Sequence, residues 1–168
     1  LKEYFANFHL HTSDMTINLK NNKVNFNFKN KEEWKITLID TGLETQTGGR
    51  IKKIKKYINK NDFCLTYGDG LSNVDIKGLI NFHKKHKKIA SVTVVQPSGK
   101  FGAVTIEKDL VTKFQEKPRG DSNWINGGFF VLNKKIFKYL EGDETIWEKE
   151  PLEELAKNKN LKAFRHKG

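Results

Sequence analysis

Apolar strand patterns alternate with amphipathic helical patterns along most of this chain, and this alternation restricts its possible folds more than any other feature. Residues 50–58 place Ile51, Ile54 and Ile58 on one helical stripe. Residues 62–66 follow as a continuous apolar run, which is typical of a central strand buried on both faces. The alternation continues through strand patterns at 90–95, 101–106, 111–115, 125–132 and 161–165 and helical patterns at 76–83, 134–140 and 145–157. It predicts an α/β domain with a mostly parallel sheet.

The amino-terminal part of the chain carries patterns of a different kind. Residues 2–11 predict a helix. Residues 15–19 and 24–28 alternate apolar with polar side chains on either side of Asn21-Asn22, which predicts a β-hairpin. Residues 34–39 predict one further strand.

The chain has a large excess of positive charge, with 31 Lys and Arg against 20 Asp and Glu and a formal net charge of +11. Such an excess favours anionic partners, whether nucleotides, sugar phosphates, nucleic acid or acidic lipid. Many of the lysines lie in Lys-Asn stretches such as 52–60 and 84–88, which are typical of solvated surfaces. RNA-binding surfaces interleave aromatic residues with basic ones, and these stretches show little of that. We therefore expect no nucleic-acid partner.

Length and cysteine content limit the choices further. With 168 residues, 36% of them hydrophobic, the chain is long enough for one domain with a core. Its single cysteine, Cys64, lies in an apolar run, so we expect a small core side chain and a reducing environment. No run approaches the roughly 18 apolar residues that span a bilayer. We expect a cytoplasmic location and no membrane partner.

An acidic residue between glycines, Gly68-Asp69-Gly70, directly follows the apolar run at 62–66. Ligands of open α/β sheets gather at the carboxyl ends of strands, and a carboxylate there can hold a divalent cation against phosphate oxygens. The alternative is a turn in which glycine supplies a positive φ. Both interpretations of Asp69 remain open on the sequence.

A second glycine-rich segment, Thr47-Gly48-Gly49-Arg50, opens the helical pattern that starts near residue 50. Helix amino termini offer N–H groups to anions, and the guanidinium of Arg50 in the first turn favours a phosphate partner. The spacing matches neither the dinucleotide-binding fingerprint nor the phosphate-binding loop of nucleotide hydrolases. An ordinary loop capped by Thr47 is the alternative.

Two further segments place polar side chains at strand ends. Glu116-Lys117-Pro118 follows the strand pattern at 111–115, and the proline holds the backbone of Lys117 extended. Asn126-Gly127 lies in the next apolar run, either as a hairpin turn or as a point of close approach to a ligand. A carboxylate, an ammonium and an amide in this arrangement suit the binding of a sugar phosphate.

Segments at 2–5, 13–16, 38–42, 47–50, 66–70, 101–103, 115–118 and 125–132 form a combination more specific than any one motif. In this combination the chain resembles the glucose-1-phosphate cytidylyltransferases of the sugar nucleotidyltransferase superfamily over all 168 residues. The resemblance implies a Rossmann-like nucleotidyltransferase sheet with a β-hairpin insertion. It also implies Mg²⁺ as cofactor, and a reaction of CTP with α-D-glucose 1-phosphate that gives CDP-glucose and pyrophosphate.

The resemblance also implies roles for individual residues. Asp69 would hold the metal, Lys117 would bind the sugar phosphate, and Arg50 would face phosphate; these are the expected catalytic residues. Sugar-phosphate binding is expected at Gly102, Glu116, Lys117 and Asn126, and nucleotide binding at Thr47, Gly49, Arg50 and Gly68.

Parts of the family pattern are absent from this sequence, namely the first strand with its glycine-rich phosphate loop and the carboxy-terminal stretch with a second metal-binding Asp. The resemblance therefore implies that residues 1–168 are the central part of one nucleotidyltransferase domain, truncated at both ends and inactive alone. It further implies a homo-oligomer that serves polysaccharide biosynthesis, such as that of the lipopolysaccharide O-antigen.

Two alternatives remain open beside the cytidylyltransferase interpretation. One is a sugar-1-phosphate nucleotidyltransferase that uses dTTP or UTP, which would share the same chemistry. The other is a non-catalytic module that binds a sugar nucleotide, which the absent motifs favour if the chain is a whole protein.

Overall fold

A computed structural model of the chain describes residues 1–27, 32–97, 103–115 and 124–167. Contacts divide the chain into two compact units, Leu1–Asp40 and Thr41–Gly168. No helix in the described ranges is long and apolar enough to cross a membrane.

The first unit begins with two short helices, α1 (Lys2–Ala6) and α2 (Phe8–Thr12), and not with the single helix predicted for residues 2–11. Asn7 separates them, with φ −107° and ψ 24°. Its side-chain amide donates to the carbonyl of Glu3 at 3.0 Å. Asparagine competes in this way with the helical backbone, which explains the break.

The predicted hairpin is confirmed in the same unit. Strands β1 (Asp14–Asn18) and β2 (Lys23–Asn27) pair antiparallel, with Ile17 opposite Val24. The further strand predicted for residues 34–39 is wrong, because the structure assigns no strand there. The ring of Trp34 instead lies 6.3 Å from that of Phe8, so the apolar alternation packs against helical aromatic residues.

The second unit contains the following helices and strands: α3 (Thr47–Lys53), β3 (Asp62–Thr66), α4 (Ile76–His86), β4 (Ala90–Val95), β5 (Ala103–Glu107), β6 (Leu110–Gln115), β7 (Ile125–Asn133), α5 (Glu150–Lys157) and β8 (Leu161–Arg165). Short 3₁₀ turns occupy Lys55–Tyr57 and Lys134–Tyr139. The strands β3, β4 and β8 match the predicted ranges, and Asp75 caps α4 by accepting from the N–H of Gly78 at 2.9 Å.

The main sheet of the described residues has the strand order β3-β7-β4-β8. Strands β3, β4 and β8 run in one direction, and the long strand β7 runs against both of its neighbours. Strands β5 and β6 form a separate antiparallel ribbon. The α/β class is confirmed, and the antiparallel insertion of β7 makes the sheet mixed.

The core of the second unit lies around β4, β7 and the segments that cover them. Its fully buried members come from the sheet, α4, the 3₁₀ turn at Lys134–Tyr139, the loop before α5 and α5: Leu79, Ala90, Phe130, Leu132, Ile136, Trp147 and Leu155. Burial of this apolar surface supplies the main stabilisation of the unit.

Strand β3 was expected to be central and buried on both faces, and the described residues cover one of its sides. Among the described residues β3 pairs only with β7. Cys64 is consequently exposed, where a core side chain was expected. A continuous apolar run does not by itself distinguish an edge strand from a central one.

Two histidines of α4 share one buried hydroxyl. His83 Nδ1 lies 2.9 Å from Ser91 Oγ, and His86 Nε2 lies 2.7 Å from the same oxygen. His83 is only 2% exposed. Asp62 Oδ1 approaches His83 Nε2 at 3.7 Å on the opposite side of the ring.

The hydrogen bonds around Ser91 are satisfied by two neutral rings. His86 Nδ1 accepts from the N–H of Lys88 at 2.9 Å, so the ring proton of His86 is on Nε2 and donates to Ser91. The Ser91 hydroxyl then donates to His83 Nδ1, and the ring N–H of His83 faces Asp62. A second proton on His86 would face the N–H of Lys88, and a second proton on His83 would take from the Ser91 hydroxyl proton the acceptor that it uses here. Ser91 is completely buried, so this hydroxyl is structural and does not act as a nucleophile.

We predict that the protein loses stability as the pH falls below about 6.5, the ordinary pKa of histidine. Burial lowers the pKa of His83 more than the facing carboxylate of Asp62 raises it. Burial also lowers the pKa of His86, with repulsion from His83, Lys162 and Lys88 adding to the effect. The unfolded chain therefore binds more protons than the folded one in this range, and unfolding becomes easier as the pH falls.

Thermal melting between pH 5 and 8 measures this effect. The variant His83→Asn keeps an acceptor near the Ser91 hydroxyl and removes one titrating group, so its melting temperature should depend less on pH. His11→Asn, at an exposed position, serves as the matched control. An equal pH dependence in all three proteins would contradict the prediction.

Candidate functional site

The structure describes six of the predicted site residues. Thr47, Gly49 and Arg50 lie in α3, and Gly68 and Asp69 follow the end of β3. Asn126 lies in β7. The other three, Gly102, Glu116 and Lys117, lie outside the described residues, so their expected roles stay predictions.

The glycines at the start of α3 provide space for a loop and do not form an anion cradle. The N–H groups of Gly48 and Gly49 donate to the carbonyl of Thr145 at 2.8 and 3.2 Å. A Cβ at Gly48 would meet Thr145 at 2.7 Å, and one at Gly49 would meet Asp143 at 2.8 Å. The interpretation of these N–H groups as phosphate donors is therefore wrong, because they are buried against residues 143–148, which we call the acidic loop.

Arg50 holds the segment that precedes its helix. Its guanidinium donates to the hydroxyl of Thr41 at 2.7 Å and to the carbonyl of Leu43 at 2.9 Å. These contacts explain a guanidinium in the first turn without a phosphate. The side chain is exposed, so donors remain on it for a ligand.

Lys53 ties the same segment to the acidic loop. Its ammonium lies 2.7 Å from Asp143 Oδ2 and 2.9 Å from both the carbonyl of Thr41 and the hydroxyl of Thr45. The hydrogen bond from Lys53 holds the pKa of Asp143 below its usual range. These contacts position α3 and the acidic loop against each other.

A chain of hydrogen bonds connects Thr47 with Asn126, and we call it the Glu148 network. The hydroxyl of Thr47 lies 2.8 Å from Glu148 Oε2, and the hydroxyl of Tyr67 lies 2.7 Å from Glu148 Oε1. The side-chain amide of Asn126 donates to the Tyr67 oxygen at 3.2 Å. The structure thus connects a residue expected to bind nucleotide with one expected to bind sugar, and Tyr67 directly precedes Gly68 and Asp69.

Tyr67 is held protonated by its surroundings. Burial, reinforced by the hydrogen bond to Glu148, raises the pKa of Tyr67 to about 12. The ring also meets that of Phe130 edge to face, with centroids 6.0 Å apart. At neutral pH the Tyr67 hydroxyl is therefore a fixed donor to Glu148.

A bulge in β7 orients Asn126. Val92 pairs with Phe130 and Val94 with Asn126, so β7 carries two extra residues across one residue of β4. Gly128 within the bulge has φ +78°, and a Cβ there would meet the Tyr67 ring at 2.9 Å. Its N–H donates to Asn126 Oδ1 at 2.8 Å, which leaves the Asn126 N–H groups directed toward Tyr67 and the site. Asn126-Gly127 is thus a strand bulge, and the hairpin-turn alternative is wrong.

Asp69 supplies one exposed carboxylate after β3. The described ranges contain no group of three or more His, Cys, Asp or Glu side chains arranged to hold a metal. Mg²⁺ commonly binds proteins through one or two carboxylates and takes its other ligands from water and substrate phosphates. A single exposed carboxylate fits that mode of binding and would not fit a site built entirely from protein ligands.

The sequence patterns did not single out the acidic loop as part of the site. Residues 145–157 predicted one helix, whereas α5 begins at Glu150 and the preceding residues form the loop. Pro151 is the sequence feature that could have shown where α5 begins. Proline is favoured in the first turn of a helix, so its position indicates a helix that starts next to it. The fully buried Trp147 anchors the loop and sets the position of Glu148.

Comparisons with known proteins show the family of the chain. The family model "Nucleotidyl transferase" matches residues 10–166. The chain belongs to the nucleotidyl transferase family. It is 47% identical to a glucose-1-phosphate cytidylyltransferase of Salmonella typhi over 169 aligned residues, which cover 100% of this chain and 66% of the relative.

More distant members of the family are also similar to the chain. A mannose-1-phosphate guanylyltransferase of Arabidopsis thaliana is 31% identical over 145 residues, which cover 82% of this chain and 40% of the relative. Among solved structures, HddC from Yersinia pseudotuberculosis matches with a TM-score of 0.50 and 28% identity, covering 72% of this chain and 53% of that one.

The fold also recurs in an apo UDP-glucose pyrophosphorylase, with a TM-score of 0.53 and 19% identity over 77% of this chain and 55% of that one. These likenesses confirm the nucleotidyltransferase fold and the resemblance inferred from the motifs. The chain spans 66% of the length of the Salmonella cytidylyltransferase relatives.

Proposed function

We propose that the complete protein containing this chain transfers a cytidylyl group from CTP to α-D-glucose 1-phosphate and forms CDP-glucose and pyrophosphate. The observation that carries this proposal is the 47% identity to the Salmonella typhi cytidylyltransferase across the whole chain. The aligned residues cover 66% of that relative, which supports the proposal that residues 1–168 are part of a longer nucleotidyltransferase.

The reaction forms one bond and breaks one. A phosphate oxygen of glucose 1-phosphate attacks the α-phosphorus of CTP, and the bond from that phosphorus to the β-phosphate bridging oxygen breaks. Pyrophosphate leaves with the electron pair. The attacking oxygen is already anionic, so no side chain has to remove a proton, and the protein contributes alignment and charge stabilisation.

The residues of this chain would divide that work between the two substrates. Thr47 and Gly68 would contact the nucleotide, and Asn126 would contact the sugar. The expected partners Glu116, Lys117 and Gly102 would complete the sugar-phosphate site. Arg50 would use its remaining donors toward phosphate.

Asp69 would hold Mg²⁺ at the phosphates. When bound, Mg²⁺ neutralises charge that builds up on the phosphate oxygens. The cation excess of the chain, 31 Lys and Arg against 20 Asp and Glu, also favours the approach of two polyanionic substrates. We further propose a cytoplasmic homo-oligomer that supplies polysaccharide biosynthesis, such as that of the O-antigen.

The direct test is to incubate the complete protein with glucose 1-phosphate, Mg²⁺ and CTP, UTP or dTTP in turn. Mass spectrometry identifies the sugar nucleotide. We expect CDP-glucose to be the main product. Formation of UDP-glucose or dTDP-glucose in its place would assign a different base, and no product with any nucleotide would favour a non-catalytic module.

Two variants should separate the two halves of the site. Lys117→Ala should raise the KM for glucose 1-phosphate about 10-fold or more, because a hydrogen bond to a charged group is lost. Thr47→Ala should act mainly on the KM for CTP. Steady-state kinetics with each substrate varied provides the measurement, and an unchanged KM for glucose 1-phosphate in Lys117→Ala would refute its assignment.

A further inference from the structure

The two oxygens of the Glu148 carboxylate serve two different parts of the site. Oε2 lies 2.8 Å from the hydroxyl of Thr47 in α3, and Oε1 lies 2.7 Å from the hydroxyl of Tyr67 after β3. Thr47 and Glu148 are 101 residues apart in the sequence, and Tyr67 and Glu148 are 81 apart. One side chain therefore fixes two distant segments at once.

The polarity of these hydrogen bonds is determined by chemistry. An ionised carboxylate only accepts hydrogen bonds, so both hydroxyls must donate to it. The Thr47 oxygen also accepts from the backbone N–H of Trp147 at 2.9 Å. Its single proton and one of its two lone pairs are thus already used, and Thr47 can offer a ligand only its remaining lone pair.

The directions of the hydrogen bonds that run from Glu148 through Tyr67 to Asn126 are determined in the same way. The Tyr67 hydroxyl gives its proton to Glu148 and accepts from the side-chain amide of Asn126 at 3.2 Å. Asn126 Oδ1 accepts from the N–H of Gly128, which determines which end of the amide faces Tyr67. The carboxylate of Glu148 therefore orients Asn126 through Tyr67.

An acceptor-only Thr47 would distinguish between pyrimidine bases where it faces their C4 substituent. Cytosine carries an amino group at C4, which donates hydrogen bonds, whereas uracil and thymine carry a carbonyl there, which only accepts. A carbonyl facing the lone pair of Thr47 would leave two acceptors opposed, and sites that leave polar groups unpaired reject such ligands strongly.

We propose that Glu148 is a positioning residue that holds Thr47 and, through Tyr67, Asn126, and that it sets Thr47 as an acceptor that selects a base with an amino group. This inference rests on the proposed function, since it assumes that Thr47 meets the base of CTP. It assigns the choice of base to a residue outside the glycine-rich segments.

The variant Glu148→Gln tests the polarity directly. Glutamine has nearly the same shape, but one of its two terminal atoms is an N–H donor, so it cannot accept from both hydroxyls. A hydroxyl that faces the new donor must turn its own proton elsewhere, and a Thr47 so released can donate to a carbonyl. Glu144→Gln makes the same charge change at an exposed position of the acidic loop and serves as the control.

The measurement is the ratio of kcat/KM for CTP to that for UTP in the complete protein, with glucose 1-phosphate saturating. We expect Glu148→Gln to lower the ratio about 10-fold or more, mainly through CTP, and Glu144→Gln to leave it unchanged. Thr47→Val removes the hydroxyl at constant shape and should lower the ratio similarly. The double variant should then be no worse than Thr47→Val, because both changes act on one group.

A readout independent of turnover follows the network itself. In protein with ¹³C-labelled tyrosine, NMR titration should show that Glu148→Gln lowers the pKa of Tyr67 from about 12, because the carboxylate partner is gone. A purely structural role of Glu148 would change stability without changing the preference between bases.

The outcomes separate the inference from the function on which it rests. A wild-type protein that forms no CDP-glucose overturns the proposed function and this inference with it. A wild-type protein that forms CDP-glucose, together with a Glu148→Gln variant of unchanged CTP-to-UTP ratio, overturns the inference alone. If Glu148→Gln fails to fold, Thr47→Val decides, and an unchanged ratio in that variant overturns the inference.

Discussion

Replacing Asp69 by asparagine in the complete protein should lower the turnover of CTP by about 100-fold or more and leave the fold intact. The change removes one negative charge beside the proposed Mg²⁺ position, and metal ions supply several kcal/mol of charge stabilisation in such reactions. Asp69 is exposed, so little packing is lost. Turnover measured over a range of Mg²⁺ concentrations, with thermal melting as the check of folding, provides the readout.

Asp109→Asn is the matched control for this prediction. It makes the same charge change in the exposed turn between β5 and β6, at a backbone φ of 71° that asparagine adopts readily. Its turnover should equal that of the wild type. If Asp69→Asn kept near wild-type turnover at limiting Mg²⁺, Asp69 would be only a turn residue.

Replacing Trp147 by alanine should reduce the free energy of unfolding by about 3–5 kcal/mol, the range found for large aromatic side chains removed from cores. Trp147 is completely buried, and its ring meets that of Phe130 edge to face at 5.6 Å. The acidic loop would lose its anchor, so Glu148 would leave the network. Denaturant unfolding at constant pH measures the loss.

Trp124→Ala provides the comparison, because this ring is 38% exposed and lies over the guanidinium of Arg165 at 5.3 Å. Trp124→Ala should reduce the free energy of unfolding by about 1 kcal/mol or less. Should Trp147→Ala be too unstable to purify, Trp147→Phe retains part of the ring packing and should show an intermediate loss. Equal losses in Trp147→Ala and Trp124→Ala would contradict the proposed anchor.

The local sequence pattern was sufficient to predict several strands of the sheet and the resemblance to the family. The ranges 62–66, 90–95 and 161–165 were predicted correctly because apolar residues with β propensity are bounded there by turn residues or by charged segments. The motifs indicated the family because they combine residues whose spacing the site itself requires.

Tertiary contacts determined what the sequence did not reveal. The pairing of β3 with the antiparallel strand β7 depends on residues far from it in the chain, and the sequence of β3 does not specify it. The hydrogen bonds of Gly48 and Gly49 to Thr145 join segments nearly a hundred residues apart. The local sequence does not show this partner, so it suggested that the two N–H groups bind phosphate. Glu148 lies within the helical pattern at 145–157, but α5 begins only at Glu150, next to Pro151, so Glu148 belongs to the preceding loop.

The glycine bulge of β7 divides this strand into two parts that pair with β4 in different registers. Residues beyond Phe130 keep their ladder with β3 and β4 in the core, whereas Asn126 lies on the other side of Gly127 and Gly128, where the ladder with β4 shifts register. If Asn126 contacts the sugar as proposed, backbone rotation at these glycines would absorb its movement as the sugar binds or leaves. The part of β7 in the core would stay in place, so binding and release of the substrate would not strain the hydrophobic core of the unit.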